Sequence, residues 1–279
     1  MVAFIRPGPS CWRSCGLSMA EFPVGGVVVK TAATAEDYAR VFEKERQNVY
    51  PVVDAFEQRM GYAIDKAKLE DAARVLACPV KKNPPNWQHG RILYAAVREY
   101  LSAMAKSFQR GADFLGAAPE HINVLEVGTA KGFGALCLQW ALDDSGLEGE
   151  VTTVDVINPN AKISRNTVAE LGGPLTLDET MAQWPERYDI HTTCSTGIDW
   201  LETHPERIHV AFVDGKHTGP VVAKEGWLLS QRQVSGDLAI FDDVHLPDIA
   251  KAVDGLNEYY TFERIDVLPT RAYAVGVRK

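Results

Sequence analysis

The spacing of apolar residues divides the chain into two parts with different predicted elements. In the first part, apolar residues recur at helical spacing through Val49 and Val52, and again over 88–101. Thr34 precedes two acidic residues, which is typical of a helix start. The proline-containing segment 81–86 interrupts this pattern. We therefore predict that the first part is helical.

After residue 120, short apolar runs alternate with helical stretches. The predicted strands are 123–127, 150–156, 190–193, 208–213, 237–241, 262–268 and 271–277. The predicted helices are 132–143, 161–171, 196–202, 220–232 and 247–260. Alternating strands and helices imply an α/β fold in which a mainly parallel sheet is covered on both faces. The last two strands, joined by a tight turn, predict an antiparallel hairpin at one edge.

These patterns predict three regions along the chain. Residues 1–18 form a leader for which we expect disorder, residues 19–116 form a helical N-terminal region, and residues 117–279 form the sheet domain. The length of 279 residues is compatible with one large domain and a smaller appendage. The N-terminal helices would serve as a lid over a ligand or as an oligomer contact, and a homodimer is left open.

Composition narrows the range of partners and compartments. Hydrophobic residues make up 46% and charged residues 24% of the chain, as in ordinary globular proteins. The net charge of −8 argues against a nucleic-acid partner, and no apolar run approaches the roughly 18 residues of a membrane span. Cys137 falls on a predicted core helix and Cys194 at a predicted strand end, and we expect buried, reduced thiols and a cytoplasmic location. Cys11 and Cys15 lack a second cysteine pair, which disfavours a zinc site.

Polar residues follow five of the predicted strands at their carboxyl ends. In chain order they are Glu126, Asp155, Ser195 with Thr196, Asp214 with Lys216 and His217, and Asp242 with Asp243. Because parallel strands end at one edge of a sheet, we expect these side chains to lie together where open α/β sheets bind ligands.

The segment 123–134 is the most informative part of the chain. Its sequence N-V-L-E-V-G-T-A-K-G-F-G indicates a buried strand, an acid, a glycine-bent turn and a helix start. A dinucleotide fingerprint would need glycine where Ala130 and Phe133 stand, so an NAD dehydrogenase is disfavoured. The joint spacing of Glu126, Gly128 and Asp155 within one strand–helix–strand unit favours a nucleoside-bearing cofactor.

Three motifs together resemble one family. The acid followed by Gly128, Gly132 and Gly134 resembles motif I of class I S-adenosylmethionine (SAM) methyltransferases, in particular the catechol O-methyltransferase branch. The pair V-D-G-K-H and F-D-D-V-H resembles the acidic motifs of the same branch, and 88–101 resembles its helix before motif I. The resemblance covers about residue 88 to the C-terminus and implies a Rossmann-like, seven-stranded, mainly parallel sheet.

The resemblance implies a cofactor site and a cation site. The turn amides would meet the SAM carboxylate, Asp155 the ribose hydroxyls, and Ser195 and Thr196 the adenine edge. The expected SAM-binding residues are Glu126, Gly128, Thr129, Ala130, Gly132, Phe133, Asp155, Ser195, Thr196 and Asp214. Mg²⁺ or a similar divalent cation would be held by Asp214, Asp242 and Asp243.

The expected reaction is Mg²⁺-assisted O-methylation of a small catechol-, sugar- or natural-product-like acceptor. His217 lies where the family has its catalytic lysine, and Lys216 is the neighbouring candidate base. Two alternatives stay open: a metal-independent SAM-dependent N- or O-methyltransferase, and a nucleotide-binding domain without turnover. In each case we expect neither nucleic acid nor membrane as a partner.

Overall fold

The computed structural model describes residues 35–78, 85–112, 121–162 and 174–279. The predictions for the leader 1–18, for Cys11 and Cys15, and for most of the helix 161–171 concern residues outside these ranges.

The described N-terminal part contains four helices. They are α1 Ala35–Glu45, α2 Pro51–Met60, α3 Lys66–Leu76 and α4 Gln88–Ala112. The apolar recurrence noted in the sequence is split between two helices, because Pro51 takes the first position of α2, where its missing N–H costs nothing. Within this recurrence Val49 and Val52 are 79% and 46% exposed, whereas Val53 and Phe56 are buried. Helix α3, which the sequence pattern missed, is capped by Asp65, whose carboxylate accepts from the Lys68 amide at 2.8 Å.

A seven-stranded sheet confirms the predicted fold class. Its strands are β1 Ile122–Val127, β2 Gly149–Asp155, β3 Ile190–Cys194, β4 Val210–Val213, β5 Leu238–Phe241, β6 Tyr260–Leu268 and β7 Arg271–Arg278. The order is β3-β2-β1-β4-β5-β7-β6. Strands β1 to β5 are parallel, whereas β7 runs antiparallel between β5 and β6. The C-terminal hairpin therefore forms one edge, and its inner strand lies next to β5.

Helices α5 Phe133–Asp143, α6 Leu177–Thr180, α7 Gly197–Thr203, α8 Gly219–Ser230 and α9 Pro247–Asp254 connect the strands. Helix α9 is shorter than predicted, because the chain leaves the helix at Gly255 and makes turns before β6 begins at Tyr260. None of the helices in the described ranges combines the length and the apolarity required to cross a bilayer.

Alternate residues of the central strands face two separate cores. On one face, Val124 and Val210 pack with the N-terminal helices and α5. On the other face, Leu125 and Ala211 pack with residues of α7, α8 and α9. Burial on both faces is what a parallel sheet requires, and it explains why the strand sequences are nearly continuous apolar runs. Cys137 is buried as predicted, but Cys194 is exposed at the end of edge strand β3, so the prediction of a buried thiol there was wrong.

The start of β4 carries a pH-sensitive contact. Buried His209 accepts a hydrogen bond on Nδ1 from the Asn123 amide at 3.0 Å, and burial lowers the pKa of His209. Below an unfolded-state pKa of about 6.5, the unfolded chain takes up a proton that the folded chain resists, so acidification destabilises the fold.

We predict that His209→Asn reduces this acid sensitivity. The asparagine Oδ1 can replace Nδ1 as the acceptor but does not titrate. Between pH 7 and 5, the free energy of unfolding of the variant should fall less steeply than that of the native chain, by at most about 1.4 kcal/mol per pH unit. Urea unfolding at several pH values measures this, with exposed His191→Asn as the control. If the free energy of unfolding fell equally with pH in the native chain and in His209→Asn, the prediction would be refuted.

Candidate functional site

The structure brings the predicted strand ends to one edge of the sheet. Val127 is paired with Val154 on one side and with Val213 on the other, and Val213 is paired with Phe241. The residues that follow these four positions therefore emerge side by side. The glycine loop, Asp155, Asp214 and the Asp242–Asp243 pair share a rim, as expected from the sequence.

The loop after β1 is shaped by backbone geometry that favours glycine. Gly128 and Gly132 have φ values of 103° and 84°, and Ala130 also has a positive φ of 47°. A Cβ atom on Gly128 would lie 2.2 Å from the backbone oxygen of Asp214. The loops after β1 and β4 thus touch, and a larger residue at 128 would separate them.

Glu126 lies beneath this loop and organises it. Its carboxylate accepts a hydrogen bond from the Thr153 hydroxyl, which also contacts the Thr129 hydroxyl at 2.7 Å. A Cβ on Gly134 would lie 2.1 Å from Glu126 Oε1, so glycine leaves room for the carboxylate. Burial raises the pKa of Glu126 to about 8. These contacts support a role for Glu126 in positioning the turn.

Asp155 joins the end of β2 to the loop. Its Oδ2 accepts from the Ala130 amide at 3.1 Å, and its Oδ1 accepts from the Ile157 amide at 3.0 Å. The carboxylate lines a cavity together with Ala130 and Thr193. The next residue, Val156, leaves an apolar side chain 68% exposed, which the sequence analysis did not single out.

Three other predicted cofactor residues, Ser195, Thr196 and Phe133, make different contacts with their surroundings. Ser195 donates its amide to the Asp155 carbonyl at 3.0 Å, whereas the Thr196 hydroxyl caps α7 by accepting from the Asp199 amide at 3.0 Å. Phe133 is buried in an edge-to-face contact with His89, with ring centroids 4.9 Å apart. Its backbone at the start of α5, rather than its side chain, belongs to the loop.

His217 lies against two of the predicted acids. Its Nδ1 is 2.7 Å from Asp243 Oδ2 and 3.9 Å from Asp214 Oδ1. Its side chain is 51% exposed, so one side of the ring faces solvent. The neighbouring candidate, Lys216, is exposed. Of the two candidate bases, His217 is the one for which the structure provides a carboxylate partner.

Asp242 faces Arg271, which the sequence pattern did not indicate as a site residue. Its Oδ2 accepts from Arg271 at 3.0 Å, and its Oδ1 accepts from the Asp243 amide. Arg271 also donates to Asp243 Oδ1 at 2.8 Å. Arg271 is the first residue of β7, and the only signal for it in the sequence was a basic residue at the start of the last strand.

Burial and charge set the protonation of this cluster. Burial, reinforced by Asp242 and Asp243, raises the pKa of Asp214 well above its usual range. Burial also raises the pKa of Asp242 against the opposing effect of Arg271. Burial acts in the same direction on Asp243, but the hydrogen bond with His217 and the charge of Arg271 outweigh it, so the pKa of Asp243 is lowered. The same hydrogen bond raises the pKa of His217.

The side chains whose ligand atoms lie closest together are not the three carboxylates predicted to bind a cation. Among the described residues, ligand atoms of Asp214, His217 and Asp243 lie within 4.8 Å of one another. Mg²⁺ prefers oxygen ligands, whereas an imidazole suits transition metals better. A magnesium ion held by Asp214, Asp242 and Asp243 does not fit this arrangement, because Asp242 is bound to Arg271 and both oxygens of Asp243 already have partners.

Comparisons with known proteins find one matching family model. Residues 125–244 match the family model described as "Methyltransferase domain". By sequence, no curated protein matches the chain. The O-methyltransferase TomG of Streptomyces achromogenes, solved in complex with SAM, is similar in structure with a TM-score of 0.50 and 15% identity, over 78% of this chain and 92% of TomG.

Two further solved structures are similar at lower scores. An O-methyltransferase of Bacillus cereus in complex with SAH has a TM-score of 0.41 and 14% identity, over 76% of this chain and 97% of its own. An rRNA methylase of Streptococcus thermophilus has a TM-score of 0.45 and 11% identity, over 67% of this chain and 95% of its own.

We predict that Gly128→Ala destabilises the fold more than Gly236→Ala. Both glycines have a similar positive φ, 103° and 96°, so each alanine incurs backbone strain of about 1–2 kcal/mol. A Cβ at 236 meets nothing within 4 Å, whereas one at 128 overlaps the Asp214 backbone. The overlap should add about 1–3 kcal/mol, measured by urea unfolding. Equal losses would show that the two loops do not approach closely in solution.

Proposed function

We propose that this chain, whose residues 125–244 match the model of a methyltransferase domain, transfers the methyl group of SAM to a hydroxyl oxygen of a small molecule. The observation that carries the proposal is the shared rim: the glycine loop and Asp155 lie beside the cluster of Asp214, His217 and Asp243. A donor held by the loop would present its methyl group towards the base.

The cofactor contacts follow from the chemistry of SAM. The loop amides and the N-terminus of α5 suit the carboxylate of the methionine moiety. Asp155 can accept both ribose hydroxyls if its present hydrogen bonds to the Ala130 and Ile157 amides loosen or are shared. The exposed side chain of Val156 offers an apolar surface for adenine. The SAM complex of the structurally similar TomG supports this choice of cofactor.

His217 is the proposed general base. With Nδ1 hydrogen-bonded to Asp243, its Nε2 is the ring nitrogen left to take the acceptor proton. The acceptor oxygen then attacks the sulfonium methyl in line, the C–S bond breaks, and its electron pair stays on sulfur. Because no covalent enzyme intermediate is needed, positioning of the two substrates should contribute most of the rate enhancement.

The acceptor is proposed to be a small hydroxylated molecule. The net charge of −8 supports this over nucleic acid, although methylases that act on rRNA occur among structures of similar fold. Helices α1 to α4 belong to the same compact unit as the sheet, which is compatible with the proposed lid or oligomer contact. The magnesium-assisted form of the reaction would require Asp242 to leave Arg271.

We predict that Asp155→Ala weakens SAM binding by about tenfold to a hundredfold, because charge-assisted hydrogen bonds to the ribose are lost. Isothermal titration calorimetry with SAM measures the dissociation constant. Asp266→Asn, which changes an exposed acid on β6, is the control and should bind as the native chain does. The thermal stability of each variant shows whether the loop remains folded. Native affinity in Asp155→Ala would exclude the proposed ribose contact.

We predict that His217→Asn lowers kcat by about 10²–10⁴ and leaves the SAM dissociation constant unchanged, because it removes the base but not the cofactor contacts. Release of SAH in the presence of a panel of catechols, sugars and other hydroxylated small molecules measures turnover. Lys216→Gln tests the other candidate base and should keep the native kcat, because the Asp243 carboxylate partner lies at His217. An unchanged kcat in His217→Asn would rule out its role as base. SAM binding without turnover on any acceptor would favour the nucleotide-binding alternative.

A further inference from the structure

Arg271 occupies the position beside the acids where a cation would be expected. The antiparallel pairing of β7 with β5 aligns Phe241 with Ala274, so the start of β7 lies next to the residues that follow β5. Nη1 of Arg271 is 3.0 Å from Asp242 Oδ2 and 2.8 Å from Asp243 Oδ1. The side chain is only 24% exposed, so the contact is largely shielded from water.

The chain itself supplies donors to the whole acidic pair. Asp242 accepts from Arg271 and from the Asp243 amide, and Asp243 accepts from Arg271 and contacts His217. All four carboxylate oxygens of the pair therefore have partners. A divalent cation bound to them would have to displace the guanidinium, which stays charged at all accessible pH values, or lie against it.

Charge balance leads to the same conclusion. Three acids held close together repel one another unless a positive charge compensates them. Arg271 places that charge between Asp242 and Asp243, and its second contact leaves Asp243 Oδ2 directed at His217. For the Asp242–Asp243 pair, the positive charge that a metal would supply is thus supplied by a side chain.

We propose that Arg271 takes the place of a divalent cation in this site. It is a positioning residue that orients Asp243 towards His217, and methyl transfer proceeds without a bound metal ion. The activity part of this inference rests on the proposed methyl transfer, whereas the metal-binding part does not. The acceptor proton passes to His217, the C–O bond forms, the C–S bond breaks, and SAH leaves.

Mn²⁺ binding, followed by electron paramagnetic resonance of the free ion, tests the metal-binding part. The native chain should bind no Mn²⁺ at this site up to millimolar concentration. Arg271→Met keeps an unbranched side chain like the stem of arginine but removes the guanidinium and its charge, so it should gain one Mn²⁺ site, which Arg271→Met with Asp242→Asn should lose. Arg264→Met, which changes an exposed arginine paired with Asp266 on β6, should remain as the native chain.

Mn²⁺ binding by the native chain tests the proposal even if Arg271→Met does not fold. One tight Mn²⁺ site in the native chain that either Asp242→Asn or Asp243→Asn abolishes would overturn the proposal. If Arg271→Met folds but binds no Mn²⁺, the idea that Arg271 takes the cation's place is likewise overturned. Circular dichroism establishes the folding of each variant.

Turnover tests the positioning role. The native rate should be unchanged by EDTA, and a loss of more than tenfold that Mg²⁺ or Mn²⁺ restores would overturn metal independence. Arg271→Lys, which retains a positive charge, should keep a higher kcat than Arg271→Met, with the KM for SAM unchanged in both. Equal kcat values in the native chain, Arg271→Lys and Arg271→Met would overturn the positioning role of Arg271. If no acceptor is methylated, the proposed function fails, while the Mn²⁺ result still decides the role of Arg271.

Discussion

The close approach of the loops after β1 and β4 is the constraint on which the candidate site depends. Without a side chain at Gly128, the carbonyl of Asp214 can lie against the glycine loop. The Asp214 amide in turn donates to the Val127 carbonyl at 2.8 Å. This contact sets the separation between the proposed cofactor loop and the proposed base, and methyl transfer is sensitive to that separation because both substrates must be aligned.

A second constraint acts beneath the loop. Glu126 is buried among polar partners, and its carboxylate occupies the space that Gly134 leaves open. A buried carboxyl without such partners would destabilise the fold, so the hydroxyl of Thr153 and the glycine at 134 act together. The acid and the glycines of 123–134 are thus one structural unit, in which each residue type is required by its neighbours rather than by a ligand alone.

Charge at the rim is compensated by elements from distant parts of the chain. His217 follows β4, the two acids follow β5, and Arg271 begins β7. Their contacts explain how Asp243 remains ionised close to Asp242 in a partly buried cluster. The hydrogen bond between His217 and Asp243 also orients the imidazole, so the arrangement that balances charge is the same one that prepares a base.

The sequence by itself determined the order of the main elements and the strand ends that carry polar residues, because helical and strand periods and glycine spacing are local properties of a chain. Glu126, Gly128, Asp155, Asp214 and His217 could all be predicted in this way. Only the tertiary structure decided that Val49 and Cys194 are exposed, since exposure depends on which elements pack nearby. It also decided that Asp242 accepts a hydrogen bond from Arg271. That contact arises from the insertion of β7 between β5 and β6, a long-range pairing that no local pattern encodes.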